Sequence, residues 1–216
     1  RLVAQEMGFG ERLDEFIAGT PPLMSVKLML ALAAMQPQKN LIVIDVKAAF
    51  LFGAMKRKVY IEIPSQDPWS KDHKWVGKLK KAMYGTRDAP QIWSREVKST
   101  LTQLGFKPSL LHPAVYTHPV RDIQLVAHVD DFLCLGDVSE PEWLHNELSK
   151  HYGLKMNIVG EHHHHEGQHL NRTISGRQTG YKYEGDEKHV KILVNEWGME
   201  ECKEVDSPFG GDLDKM

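Results

Sequence analysis

At 216 residues, 41% hydrophobic and 26% charged, the chain can bury a core as one large domain or two small subdomains, and its composition excludes wholesale disorder. A net charge of −2 gives no overall basic character, and two cysteines, Cys134 and Cys202, exclude a disulfide framework or zinc ribbon. The longest apolar run, near Leu28 to Met35, is too short to span a bilayer.

Read in chain order, Ser25 is placed to cap a helix ending near Met35 and stopped by Pro37. Its apolar residues (Val26, Leu28, Met29, Leu30, Leu32, Ala33) cover more than one face, which predicts burial. The β-branched run over residues 41–46 predicts a buried strand ending at Asp45 and Val46, and the alternation over 59–63 predicts another. Residues 65–75 read as a loop. Asp88 with Gln91 has the form of a capping box, opening a helix on which Trp93, Val97, Leu101 and Leu104 recur at helical spacing, stopped by Gly105. A short strand around Val115 and Tyr116 precedes a predicted hairpin with Asp130 and Asp131 at its tip. Ser139 with Glu142 predicts a helix to about His151. Strand-like pieces follow near Leu170–Ile174 and Tyr181–Tyr183, and a last helix over His189–Trp197 is capped by Gly198.

Charge is segregated along the chain. Lys39 to Lys98 holds 13 Lys and Arg against 6 Asp and Glu; Arg121 to Glu166 holds 3 against 9. Such a division suits a protein that grips a phosphate backbone and gathers carboxylates at a metal site, although two solvated faces would read the same way. Asp45 alone is an ordinary strand-end residue, and an Asp130–Asp131 doublet alone is an ordinary turn. Brought together, three carboxylates repel, and divalent cations relieve that repulsion. Two such ions can activate a hydroxyl and stabilise a leaving oxygen in phosphoryl transfer.

In order along the chain, RLVA, SVKLMLALAA, IDVKAAFL, VYIEIP, KLKKAMYGTRDAPQIW, LGFKPS, HPAVYTH, VAHVDDFLCLGD and MEECKEVDSPF resemble the reverse transcriptase of copia-type LTR retrotransposons. The resemblance implies an α+β right-hand polymerase fold, with palm and fingers, a partial thumb, and an antiparallel palm sheet backed by helices. It assigns residues 1–160 to fingers and palm, and 161–216 to a primer-grip, partial thumb or connection segment. Asp45, Asp130 and Asp131 then become the catalytic, metal-binding carboxylates for two Mg²⁺ ions, with Mn²⁺ as a substitute. Val46 (through its carbonyl), Phe50, Tyr84, Gly85 and Arg87 fall on the nucleotide-binding stretch. Phe50 occupies the position of the bulky residue that rejects a 2′-hydroxyl, and Arg87 suits phosphate. The implied partners are an RNA or DNA template-primer and deoxynucleoside triphosphates, with no membrane. The implied setting is intracellular, cytoplasmic or nuclear, and particle-associated in an active element; the start at Arg1 suggests a segment of a longer protein.

The chain departs from the family pattern at several places. His128, primer-proximal, stands where tyrosine is usual, and Asp88 adds a carboxylate near the expected phosphates. Phe52 stands where asparagine is usual, and basic residues expected upstream of RLVA are missing apart from Arg1. His162–His165 with His169 has imidazoles for a transition metal, but consecutive residues diverge, which favours a surface loop. The sequence thus supports an RNA-directed DNA polymerase. The alternative is a degenerate or repurposed element fragment that binds nucleic acid without polymerising.

Overall fold

The computed structural model describes residues 3–6, 21–71, 75–160, 163–164, 166–177, 180–185 and 187–203. Among them, helix α1 (Leu23–Met35) leads into strand β1 (Lys39–Val46), then a two-stranded ribbon of β2 (Tyr60–Glu62) and β3 (Val76–Lys78). Helix α2 (Ala89–Gln103) is followed by β4 (Lys107–Pro108), β5 (Val115–His118), β6 (Ile123–His128), β7 (Asp131–Asp137) and helix α3 (Glu140–Ser149). Strands β8 (Leu154–Val159), β9 (Glu166–His169), β10 (Arg172–Arg177) and β11 (Gly180–Gly185) precede helix α4 (Glu187–Glu196). No helix among the described residues is long and apolar enough to cross a membrane.

Six strands form one antiparallel sheet in the order β4-β5-β6-β7-β1-β8. Strand β1 lies between β7 and β8, and its alternation divides the core. Ile42, Ile44 and Val46 face a cluster built with Trp93, Val97 and Leu101 of α2 and Leu144 and Leu148 of α3. Leu41 and Val43 face the opposite cluster, with Val26, Met29, Leu30 and Ala33 of α1 and Ile174 of β10. Because both faces are covered, β1 reads as a continuous apolar run rather than an alternating one. The chain is therefore α+β, an antiparallel sheet backed by helices on both faces.

A second antiparallel sheet, β11-β10-β9, lies against the α1 face. Close approach is possible because Gly167 is small: a Cβ there would overlap Val159 Cγ2 and press on Val43 Cγ2. Helix α1 starts earlier than its sequence suggests, with Pro22 rather than Ser25 at the cap position, and it buries one face only, leaving Met24, Leu28 and Met35 exposed. Strands β3, β4, β8 and β9 were not anticipated from sequence. Neither capping box forms: the side chains of Asp88 and Ser139 make no cap hydrogen bond. Gly198 does take the left-handed conformation (φ 62°) after α4, where the Met199 N–H reaches the Val194 carbonyl at 2.9 Å.

Candidate active site

Strand register gathers the acidic residues. Asp45 lies directly across from Asp131 on β7, and Asp131 lies across from His128 on β6. On its other side Asp45 lies across from Lys155 on β8. Directly opposed Cβ atoms sit about 5 Å apart, so His128, Asp131, Asp45 and Lys155 make one polar row across four strands. One step inward, Val126, Leu133 and Val43 make an apolar row on the same face. The strand ends are thus polar because the core stops there.

Asp130 enters from the turn. His128 and Asp131 are the last pair of the β6–β7 hairpin, which leaves Val129 and Asp130 as a two-residue loop. Val129 adopts φ 49°, a conformation that costs a β-branched residue about 1–3 kcal/mol. Two bonds hold the loop in place: Trp93 Nε1 donates to the Val129 carbonyl at 2.5 Å, and the Val46 N–H donates to the Asp130 carbonyl at 2.8 Å. Trp93 is a buried core residue, as its helical spacing predicts, and also the tie that fixes the hairpin tip.

The β9–β10 hairpin closes over this row. Its tip residues Leu170 and Asn171 both have positive φ (54° and 55°), and the Leu170 N–H donates to Asp131 Oδ2 at 3.4 Å. Burial, then the neighbouring charges of Asp130 and Asp45, push the Asp131 carboxyl up to about 6, with the Leu170 N–H pulling the other way. Burial lowers His128, opposed by Asp130. His169 is fully buried, and neither ring nitrogen finds a partner among the described residues. Burial, helped by His128, pushes it down to about 4.

This last shift predicts an acid-labile fold. An unfolded His169 titrates near 6.5 and the folded one near 4, so the native state holds the neutral form and loses stability as pH falls through that window. About 3 kcal/mol should be lost across it, and His169→Phe should flatten the loss. Denaturant melts at several pH values read this directly; parallel curves for the two proteins would refute it.

The other expected residues form a neighbouring group. Phe50 is half-buried in a 3₁₀ turn over residues 49–52, with its ring 4.7 Å from that of Tyr84. Gly85 needs its φ of 88°, and the Ala4 N–H donates to the Tyr84 carbonyl at 2.8 Å. The Arg87 N–H donates to Glu6 Oε2 at 2.8 Å. Asp88 is not a stray negative charge: Arg57 clasps it through Nε and a terminal nitrogen at 2.8 and 2.9 Å, and reaches Glu6 at 2.7 and 2.6 Å. His162 and His165 lie outside the described residues. His163 and His164 are exposed whereas His169 is buried, so these three do not share one site.

Carboxylate oxygens suit a hard divalent cation, and the mutual repulsion at Asp131 is what such an ion would relieve. Among the described residues no three ligating side chains already close around one point. Magnesium does not require this, because it keeps several waters and takes one or two protein carboxylates alongside substrate phosphates.

An antiparallel sheet backed by helices, with carboxylates at the tip of its central hairpin and on the strand beside it, has the form of a polymerase palm. A family model described as reverse transcriptase (RNA-dependent DNA polymerase) matches residues 1–209, and the chain belongs to that family. It is 28% identical over 220 residues, 99% of the chain, to the retrovirus-related Pol polyprotein from transposon TNT 1-94 of Nicotiana tabacum, and covers 16% of that protein. It is 29% identical over 163 residues, 72% of the chain, to the corresponding polyprotein from transposon RE1 of Arabidopsis thaliana, covering 11% of it. The chain therefore spans about a sixth or less of these relatives, whose names as transposon Pol polyproteins agree with the sequence resemblance. Among solved structures it is similar to telomerase from Candida albicans in complex with a telomeric RNA fragment. That match has a TM-score of 0.46 and 12% identity, over 80% of this chain and 35% of that one.

Four features of the site lie beyond the sequence reading: Lys155 in the polar row, buried His169, the Leu170 N–H, and the Glu6–Arg57–Asp88 cluster. Of these residues the sequence singled out Asp88, as a helix cap and an unexpected carboxylate, and His169, as one of several imidazoles, but neither in the role the structure gives it.

Proposed function

We propose that the chain adds deoxynucleotides to a primer annealed to an RNA or DNA template, as the polymerase part of a longer Pol protein. The observation that carries this reading is the register that sets Asp45 against Asp131, with Asp130 held in the adjoining turn. These three carboxylates would hold two Mg²⁺ ions, or Mn²⁺, with the Val46 carbonyl as a further oxygen. Bound there, the ions would lower the pKa of the primer 3′-hydroxyl and stabilise the departing pyrophosphate oxygen. In the reaction the primer 3′-oxygen bonds to the α-phosphorus, the α–β phosphoanhydride bond breaks, and pyrophosphate leaves.

The remaining residues bind and orient. Phe50, braced by Tyr84, gives a rigid ring on which a deoxyribose can rest and a 2′-hydroxyl would clash. The Tyr84–Arg87 loop, pinned at Ala4 and Glu6, borders the nucleotide, with Arg87 toward phosphate. His128 lies on the primer side, and the segment from residue 161 onward serves as primer grip and partial thumb or as a connection segment. Residues 1–160 make the fingers and palm.

Primer extension on a poly(rA)–oligo(dT) substrate with Mg²⁺ or Mn²⁺ tests the reading. Wild type should extend, and Asp130→Asn should fall by about 10³-fold, the value of several kcal/mol of transition-state stabilisation. Primed-duplex binding without extension by wild type would overturn it in favour of a nucleic-acid-binding module.

A further inference from the structure

The ribbon β2–β3 stands apart from the main sheet and carries an unusual surface. Its register pairs Tyr60 with Lys78 and Glu62 with Val76, and the pairing continues outward through the Leu79 N–H to the Val59 carbonyl. Alternation then places Lys58, Tyr60, Glu62, Val76, Lys78 and Lys80 on one face, all of them exposed. The other face, with Val59, Ile61 and Leu79, is half-buried. At the far end of the ribbon Trp69 and Trp75 meet edge to face, centroids 6.0 Å apart, and remain 63% and 56% exposed. Tyr60, Trp75 and Val76 line a hollow of about 220 Å³ together with Ser70 and Glu62, the latter its one charged wall residue.

Leaving two indoles in water forgoes apolar burial that each could otherwise contribute. An edge-to-face pair also leaves open ring faces, to which an unpaired base can stack. Along the ribbon, among the described residues, Lys56, Lys58, Lys71, Lys78 and Lys80 are exposed against Glu62 and Asp67; the two acidic residues lie toward the indole end, where Asp67 accepts the Trp69 backbone N–H, and most of the lysines lie toward the ribbon's base. Open aromatic faces interleaved with lysines match single-stranded nucleic acid, in which phosphates meet the cations and bases meet the rings. A duplex offers phosphates but hides its base faces. The ribbon also connects at once to the candidate site. Lys80 and Lys81 are tied back to Met55 and Ala54, and the chain then runs directly into the Tyr84–Arg87 loop.

We propose that this ribbon is a docking surface for the unpaired 5′ extension of the template strand. Trp69, Trp75 and Tyr60 stack on its bases, and the ribbon lysines follow its backbone. The proposal rests on the template-directed reading given above, but it concerns binding and requires no turnover.

The test uses the 216-residue chain and fluorescence anisotropy. One labelled probe is an RNA–DNA duplex whose RNA strand carries a 5′ extension; the other is the same duplex with blunt ends. Wild type should bind the extended probe about tenfold or more tightly, the effect expected of a base stacked on an aromatic ring. The W69A/W75A double variant should lose that preference and keep its affinity for the blunt probe, whereas W69F/W75F should retain most of the preference. Equal affinity of wild type for both probes overturns the proposal, as does an undiminished preference in W69A/W75A. So does sedimentation showing wild-type dimers that the alanine pair dissolves while the preference persists, because the surface then meets a second copy. A chain that prefers the extended probe yet fails to extend any primer keeps this inference and sinks the polymerase reading, so the two failures are separable.

Discussion

Asp131→Asn should abolish primer extension and at the same time make the protein more stable. The loss follows from the proposed role: an amide cannot replace a carboxylate at a metal, and several kcal/mol of transition-state stabilisation corresponds to about 10³-fold in rate. The gain follows from the cost of ionising Asp131, whose carboxyl is pushed up to about 6 by burial and by Asp130 and Asp45. A carboxyl raised above its ordinary 3.8 contributes stability that is fully present below 3.8 and is lost as pH rises through 6. At pH 7.5 the wild type therefore carries the penalty and the asparagine variant does not. Solvent screening of a half-buried group brings this to about 1–2 kcal/mol. Melts of the two proteins should coincide near pH 4, separate as pH rises to about 6 and stay apart above it. Added Mg²⁺ should raise the wild-type melting temperature far more than the variant's, because an ion that binds only the native state stabilises by mass action. Retained extension would remove Asp131 from catalysis. A variant less stable at every pH would show that the row of carboxylates is not self-repelling.

How far the sequence reveals this site depends on whether the signal is local. Helix α2 was readable because its apolar residues recur at helical spacing, strand β1 because it is a short continuous β-branched run, and the β6–β7 hairpin because two apolar runs flank a doublet of aspartates. What gathers Asp45 to Asp131 is a register, and register is set by the pairing of β1 with β7 across a long stretch of chain, which no local pattern encodes. The same holds for Lys155, which reaches the row only because β8 pairs on the other side of β1. Strand β9 has the sequence EGQH, with no strand-like composition; it is a strand because β10 supplies its hydrogen bonds and Gly167 lets it lie close over the sheet. The αL turn beyond it is signalled by Asn171 but hidden at Leu170, whose branched side chain disfavours φ 54°. At Asp88 a correct local rule was overridden. The residue sits at the cap position, but a double hydrogen bond to a guanidinium outweighs a single bond to a backbone amide, and the side chain turns to Arg57.

That override makes Arg57 the second position of large expected effect. Its guanidinium uses both edges, one on Asp88 and one on Glu6, and Glu6 in turn accepts the Arg87 N–H. Burial alone would raise the Asp88 carboxyl, but the hydrogen bonds and charge of Arg57 win and hold it below the usual range; Glu6 is lowered chiefly by its bond to Arg57. Arg57→Ala leaves two carboxylates facing each other, with the Asp88 side chain only 7% exposed. Breaking a fully buried pair costs 3–5 kcal/mol; with Arg57 itself partly exposed, about 2–3 kcal/mol is expected at pH 7.5. The loss should shrink as pH falls through the depressed carboxylate values, where the pairing contributes less in wild type as well. Adding Glu6→Gln and Asp88→Asn to Arg57→Ala should recover much of the stability, since the uncompensated charges are then gone. Function should respond differently. The cluster anchors the Tyr84–Arg87 loop through Glu6 and Ala4, so the triple variant should keep its fold and its kcat within a few-fold while KM for the incoming nucleotide rises. Urea denaturation together with steady-state extension kinetics separates the two effects. A triple variant with unchanged KM would mean that the cluster only holds the fold together and leaves the nucleotide loop to itself.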